Sequence, residues 1–447
     1  MTIPPFLKVI RKRMSTPVTS PRALHLLEQL ASDKSIGGTF TPPSADEACR
    51  EEDRPALEAF YAHLQIMTGT VVDAAVKPQC FTAGLSALCS MWLALSKNGG
   101  AEIVMCSTAY GGSSQLTDLI CERTPRTLRK HTFGIQGDAD IIDAIKTSLE
   151  KLGRDAETVS RKTVLFVEVP TNPDMKVPDL DLLAEMITAY CSGRGVGLDN
   201  FLLLVDATFA PASKVMAQLQ QKLRELPVIT FISMSKSVSR GMTTAGAFVA
   251  NQHPVASRLL ADTGVIGSSL DTTFKVDQME ILLNNHVGVE DRCERAYQTA
   301  CRLGATLQAA VKDRADGFDM RLNFVKAQHA ALGFTSSTFS FNLPKPDGAS
   351  DEETDAFAQR FVDALTTNAQ FKPCVSFGQD NNLIYCTVPA TSTQGAIKAE
   401  DKELQAVGGV QLVRLSFPPA VDEESAHEHM RSAVESVYGA FRSPVNN

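Results

Sequence analysis

Three short apolar runs in this chain each end in residues that can do chemistry. Thr-Val-Leu-Phe-Val-Glu-Val, residues 163–169, closes on Glu168 and the turn Pro170-Thr171-Asn172-Pro173. Phe201 to Val205 is followed by Asp206 and Thr208, and Val228 to Ile232 by Ser233, Ser235 and Lys236. Ligands of an open parallel sheet sit at the carboxyl ends of its strands, so these side chains would meet in one crevice. An aspartate and a lysine at neighbouring strand ends suit a pyridine ring that carries an aldehyde. The acid keeps the ring nitrogen protonated, so the ring accepts electrons; the lysine condenses with the aldehyde and later moves a proton. Arg414 adds an anion site, because it interrupts Gln411-Leu412-Val413-Arg414-Leu415-Ser416-Phe417, otherwise a buried-strand pattern. A charge there needs a partner, and a bound anion supplies one.

The elements that must hold these residues follow from hydrophobic periodicity. Ala83 to Leu95, Asp138 to Leu152, Leu180 to Cys191 and Ser213 to Leu226 carry helical spacing, and Ile103 to Cys106 reads as one more buried strand. Continuous apolar strands separated by helices imply a mostly parallel sheet covered on both faces, an α/β architecture. From about residue 284 the pattern changes. A long helix over Val289 to Lys312 precedes shorter strands, at Thr338 to Leu343, Asn382 to Thr387 and Val410 to Phe417, and a terminal helix from Glu423 to Tyr438. We therefore divide the chain into an N-terminal arm (1–64), a large domain (65–283) and a smaller α+β C-terminal domain (284–447).

Composition narrows the function classes. Of 447 residues, 44% are hydrophobic and 21% charged, and the net charge is −8. No basic stripe offers to neutralise phosphates, which argues against nucleic acid as a partner. No apolar run approaches the roughly 18 residues that cross a bilayer, so no membrane span is expected. The basic cluster Lys8, Arg11, Lys12 and Arg13 is not followed by an apolar core, so a secretory signal is not expected. Ten cysteines form no CxxC pair and several sit in apolar runs, the pattern of reduced thiols in a cytoplasmic setting. His427 and His429, two apart on a helix, point away from each other, so no metal site is expected.

Eight segments, in order over residues 55–440, resemble the Cys/Met-metabolism family of pyridoxal-phosphate enzymes, which includes cystathionine γ-synthase, the cystathionine lyases, methionine γ-lyase and O-acetylhomoserine sulfhydrylase. They are Thr82-Ala83-Gly84-Leu85-Ser86-Ala87, Tyr110-Gly111-Gly112, Glu168-Val169-Pro170-Thr171-Asn172-Pro173, Val205-Asp206-Ala207-Thr208-Phe209, Ser233-Met234-Ser235-Lys236, Ser376-Phe377-Gly378, Pro389-Ala390-Thr391-Ser392-Thr393 and Arg414-Leu415-Ser416. The resemblance implies a type I (aspartate-aminotransferase-like) fold and pyridoxal 5′-phosphate as cofactor, with Lys236 as the Schiff-base lysine and Asp206 against the pyridinium nitrogen. Gly84 and Leu85 would offer backbone N–H groups to the phosphate, since a helix start suits an anion. Ser233 and Ser235 would add hydroxyls, and Thr208 would join the cofactor site. Tyr110 would stack on the ring and pass a proton to the leaving group. Asn172 would touch cofactor and substrate, Arg414 would clamp the substrate carboxylate, and Ser376 and Thr393 would line the substrate side. The resemblance also implies a homotetramer, a dimer of dimers in which each site is completed by a neighbouring subunit.

The implied activity is elimination or γ-replacement on a sulfur- or oxygen-activated amino acid, of cystathionine γ-synthase or carbon–sulfur-lyase type. The alternatives are γ-substitution with a non-thiol nucleophile, or a cofactor-binding protein without turnover. The chain also departs from the family. A Tyr-x-Arg segment that usually reaches a partner's phosphate is missing, and the corresponding stretch, Asp46 to Asp53, is acidic, with Arg50 and Arg54 beside it. After the lysine, a glycine-rich His-Ser-Asp stretch is replaced by Ser239-Arg240-Gly241-Met242-Thr243-Thr244, which makes Arg240 a candidate replacement charge. A position often acidic in cystathionine-handling members is Asn381.

Overall fold

The computed structural model describes residues 51–135, 140–154, 161–314, 320, 322–344, 350–388 and 412–439. A seven-stranded sheet organises the first part of the chain. Its strands are β1 (Gln79–Phe81), β2 (Ala101–Cys106), β3 (Leu128–Phe133), β4 (Lys162–Glu168), β5 (Phe201–Asp206), β6 (Val228–Ser233) and β7 (Gly246–Ala250), in the order β1-β7-β6-β5-β4-β2-β3. Strands β3, β2, β4, β5 and β6 run parallel, whereas β7 is antiparallel to both β6 and β1. Central strands are mostly apolar because both faces are covered: every residue of β5, its terminal Asp206 included, is buried. The edge strand β3, Leu-Arg-Lys-His-Thr-Phe, is more polar, and of its six residues only the two at the ends are buried.

Helices cover this sheet. They are α1 (Arg54–Thr68), α2 (Gly84–Lys97), α3 (Gly111–Arg123), α4 (Ile141–Gly153), α5 (Leu180–Gly193), α6 (Val215–Gln220), α7 (Pro254–Ser269) and α8 (Val276–Asn285). Asp140 and Asp179 cap α4 and α5 by accepting first-turn N–H groups, which fixes where those helices begin. Leu57, Phe60, Tyr61 and Leu64 of α1 lie in the same core as the sheet. The stretch Ser213 to Leu226, read as one helix, is helical only over Val215–Gln220. Lys214 takes a left-handed conformation at φ 54° just before it, and the chain after Gln220 passes through turns that bury Leu223 and Leu226.

The long helix α9 (Val289–Arg314) links two cores. Val289, Cys293 and Tyr297 pack with the first sheet, and Ala300, Leu303, Leu307 and Val311 pack into the second core. That core backs a five-stranded sheet of order β10-β11-β12-β9-β8, with β8 at Leu322–Asn323, β9 at Thr338–Asn342, β10 at Phe371–Pro373, β11 at Ile384–Thr387 and β12 at Leu412–Ser416. The short α10 (Ala327–Ala330) precedes β9, and α11 (Asp351–Leu365) and α12 (Glu423–Gly439) complete the chain. β11 starts two residues later than the apolar pattern suggests, because Asn382 is left-handed at φ 57° and breaks the extended run. No described helix is long and apolar enough to cross a membrane. Nine described cysteines are free thiols, and Cys49 lies outside the described residues.

Candidate active site

Register brings the strand-end residues together. Glu168 at the end of β4 pairs with Asp206 at the end of β5, and Asp206 with Phe231 of β6, two residues before Ser233. Lys236 lies three residues beyond, in the turn that leads out of β6. Its Nζ donates to Ser376 Oγ at 2.7 Å and stands 5.3 Å from the centre of the Phe377 ring, which itself stacks on Phe209 at 4.2 Å. Burial pushes the Lys236 amine down to about 8, with the Arg414 charge acting in the same direction.

Asp206 is 7% exposed. It accepts the Thr208 N–H at 2.9 Å, and the Thr208 hydroxyl in turn accepts the N–H of Ser233 at 2.9 Å. Among the described residues no cation is ion-paired with Asp206, and burial holds its carboxyl above the usual range despite the Thr208 hydrogen bonds. Glu168, beside it, holds loops of the candidate site, a part that the sequence did not assign to it. Its Oε1 accepts the N–H of Tyr110 at 2.7 Å and its Oε2 that of Asn172 at 3.0 Å. One buried carboxylate thereby fixes the loops that carry two predicted site residues. Burial and the Asp206 charge raise its pKa, and the two N–H groups and Arg414 oppose the rise. The signal was present in the sequence, since an acid inside an apolar run demands donors.

Arg414 reaches the site from the other sheet. On β12 it lies opposite Ser340 and Thr387. Its Nη1 donates to Asn172 Oδ1 at 2.9 Å and its Nη2 to the Val375 carbonyl at 2.6 Å. Asn172 is held from its other end, with Nδ2 donating to the Thr108 carbonyl at 3.3 Å. Burial lowers the Arg414 pKa to about 10, well above neutrality, so the guanidinium stays charged and oriented. Tyr110 caps the start of α3 with its ring folded over Gly112, where an added Cβ would meet Tyr110 Cε1 at 2.6 Å. Tyr110 as a whole residue is 39% exposed, and burial raises its pKa while Arg414 lowers it.

The chemistry of this donor set can be tested against pyridoxal phosphate. Helix α2 begins at Gly84 without a side-chain cap, so first-turn N–H groups, Leu85 included, are available to an anion. Gly246 on β7 makes room for that turn, since a Cβ there would lie 2.7 Å from Gly84 Cα. The Ser233 hydroxyl stands 3.4 Å from where a Gly84 Cβ would be and makes no hydrogen bond among the described residues. A phosphate cradle, an unneutralised buried acid and a half-buried lysine fit the group. Ser235 is differently engaged: its hydroxyl donates to the Ala245 carbonyl at 3.2 Å and accepts the Ala245 N–H at 3.0 Å. Thr393 and the segment Pro389 to Thr393 lie outside the described residues, as does Arg50; Arg54 is exposed at the start of α1. Arg240 is left-handed at φ 54° and lies 3.6 Å from Asp380. Asn381 donates to the Tyr385 hydroxyl at 2.6 Å. His427 and His429 diverge, to Thr306 of α9 and to the Leu365 carbonyl of α11.

A family model described as Cys/Met metabolism PLP-dependent enzyme matches residues 68–418. Among curated proteins the chain is similar to the chloroplastic cystathionine β-lyase of Arabidopsis thaliana, 31% identical over 173 residues that make up 37% of this chain and 31% of that protein. That match spans about a third of the relative's length. The chain is also similar to methionine γ-lyase of the same plant, 24% identical over 342 residues, covering 75% of this chain and 68% of the relative. Among solved structures, the cystathionine γ-synthase from Xanthomonas oryzae pv. oryzae in complex with cystathionine aligns with a TM-score of 0.61 and 20% identity over 87% of each chain.

Proposed function

The chain belongs to the Cys/Met-metabolism family of PLP-dependent enzymes, and on that premise we propose that it performs elimination or γ-replacement on a sulfur- or oxygen-activated amino acid, as a cystathionine γ-synthase or carbon–sulfur lyase does. Membership brings the type I fold, pyridoxal 5′-phosphate as cofactor and a small amino-acid substrate. Bound in the crevice, the cofactor supplies an electron sink for charge developing on the substrate. In this reading Lys236 holds the cofactor and carries a proton at Nζ; its lowered pKa keeps the neutral amine accessible near physiological pH, as a base requires. Asp206 keeps the proton on the ring nitrogen, a charge-assisted contact. Gly84, Leu85 and Ser233 take the phosphate. Arg414, oriented by Asn172, takes the substrate carboxylate, and the Tyr110 phenol hands a proton to the leaving group.

The observation that carries this reading is that Asp206, buried at the end of β5, and Lys236, half-buried just beyond the end of the neighbouring β6, each have no ion-pair partner among the described residues. Asp206 lacks a cation and Lys236 lacks an acid. A polar aromatic ligand with one basic nitrogen and one aldehyde answers both. Asn381 supports the non-thiol variant of the reaction as a second reading, because it offers an amide bound to Tyr385 where an acid would attract an ammonium. We extend the proposal to a homotetramer in a cytoplasmic setting, the latter supported by the free thiols.

The test combines labelling and turnover. Borohydride reduction of the holoenzyme, followed by peptide mapping, should tag Lys236. A panel of cysteine, cystathionine, methionine, O-acetylhomoserine and O-succinylhomoserine should then reveal a substrate, scored by keto-acid release and by thiol-dependent product. Lys236→Ala should lose all turnover. A tag on another residue, or turnover that survives the substitution, ends the proposal.

A further inference from the structure

We propose that Gln379 is a positioning residue that fixes the Ser376 hydroxyl and, through it, the resting place of the Lys236 amine. The inference rests on the reading of Lys236 given above, and it concerns a side chain to which that reading assigns no part. Gln379 is 2% exposed, and its Nε2 donates to Ser376 Oγ at 2.7 Å, the same oxygen that accepts Lys236 Nζ at 2.7 Å. A hydroxyl oxygen has two lone pairs. Gln379 occupies one and Lys236 the other, so the Ser376 O–H is turned away from both.

Packing makes this arrangement rigid. The Lys236 loop and the Ser376 loop interlock through two glycines with left-handed backbones, Gly241 at φ +76° and Gly378 at φ +73°. A Cβ on Gly241 would run into Gln379 Cγ, and one on Gly378 would lie 2.6 Å from the Ser237 backbone nitrogen. Gln379 therefore sits in a seam that admits little movement. Its Oε1 is buried with no hydrogen-bond partner among the described residues. A purely structural seam would be filled better by an apolar chain of the same length; an amide kept there at that cost points to its N–H end as the useful part.

That end has a predictable electrostatic effect. It directs the positive pole of the amide at the oxygen that also receives the Lys236 ammonium, so it opposes the charged amine and favours the neutral one. Burial already acts in this direction, holding the amine at about 8. The hydrogen bond adds orientation, because it keeps Ser376 in one rotamer at the point where the amine rests.

The test uses Gln379→Met, which keeps length and packing and removes the amide, and Gln379→Glu, which presents oxygen to Ser376. Competitive acetylation of the apo-protein across pH, read on the Lys236 peptide by mass spectrometry, needs neither cofactor nor substrate. It therefore stands or falls separately from the proposed reaction. In Gln379→Met the reactivity midpoint of Lys236 should rise by about half a pH unit, and in Gln379→Glu by more. In the loaded enzyme kcat should fall roughly tenfold with KM within about twofold, and Gln379→Met should add nothing in a Ser376→Ala background. An unchanged midpoint, a midpoint that falls, or additive losses in the double variant would each overturn the assignment. Should Gln379→Met fail to fold, the Gln379→Glu midpoint decides alone.

Discussion

Asp206 is placed where only a ligand relieves it. Its folded pKa lies above the ordinary carboxylate value because burial outweighs the two Thr208 hydrogen bonds. A carboxyl with a raised folded pKa binds more protons folded than unfolded, so the apo-protein loses stability as pH rises above about 4. Asp206→Asn should remove that loss. We expect the thermal midpoint of the apo-variant to exceed that of the apo wild type at pH 7.5 by about a degree, on the scale of about 1 kcal/mol, with little difference at pH 4. Adding pyridoxal phosphate should reverse the order, because the wild type gains a charge-assisted contact and the variant presents an amide N–H to the ring. Scanning calorimetry of both forms with and without cofactor checks this; a variant no more stable than wild type in the apo state would mean that Asp206 is already neutralised by something else.

Helix α2 and strand β7 make the phosphate cradle together, and neither makes it alone. Phe81↔Gly246↔Ser233 is one row across β1, β7 and β6, and the first turn of α2 lies directly against the Gly246 position of that row. Gly246→Ala forces backbone against backbone, which no rotamer can relieve, and should weaken pyridoxal-phosphate binding to the apo-protein by tenfold or more while costing about 1–3 kcal/mol of stability. Gly193→Ala at the end of α5, where a Cβ meets nothing within 4 Å, should change neither in fluorescence titration or denaturant unfolding. This contact also marks the limit of what the sequence discloses. The buried strands β4, β5 and β6 are legible, because both faces are covered and their residues are mostly apolar, and their ends disclose Asp206 and Lys236. The edge strand β3 is not, since Arg129, Lys130 and His131 face partly to solvent and leave no apolar run. Helix α11 escaped for a related reason: its Asp-Glu-Glu-Thr-Asp start and Ser350–Glu353 capping box look like a charged loop until Phe357, Phe361 and Leu365 are seen to share one buried face. Glu168 with Tyr110, Gln379 with Gly241 and Gly246 with Gly84 are contacts between residues remote in sequence, and no spacing rule reaches across such gaps.

At the scale of the whole molecule, the two cores are joined by α9, and the start of α9 is fastened to α1 by two histidines. His63 of α1 lies with its Nδ1 2.6 Å from Nδ1 of His286, at the end of α8, and with its Nε2 2.7 Å from Glu290 Oε1 in the first turn of α9. Two ring nitrogens at that distance share one proton, so the contact fails when both rings are charged. His286 is 8% exposed and packs edge-on against Phe60 of α1 at 5.0 Å. Burial, His63 and Arg292 push its pKa down to about 4, and Glu290 opposes them. A histidine whose folded pKa lies below its unfolded value of about 6.5 takes up more protons unfolded than folded. Its contribution is complete above that value and is lost as pH falls toward 4. His286→Asn keeps a donor in place of Nδ1 and removes the titration. Between pH 7 and pH 5 the thermal midpoint of the wild type should drop further than that of the variant, by about 2 °C, and amides of α1 should exchange faster in the wild type at the lower pH. Because α1 packs on the large core and α9 enters the second one, loosening this fastening should change how the Arg414 sheet faces the Lys236 loop. Equal pH slopes in the two proteins would show instead that the histidines touch without controlling the junction.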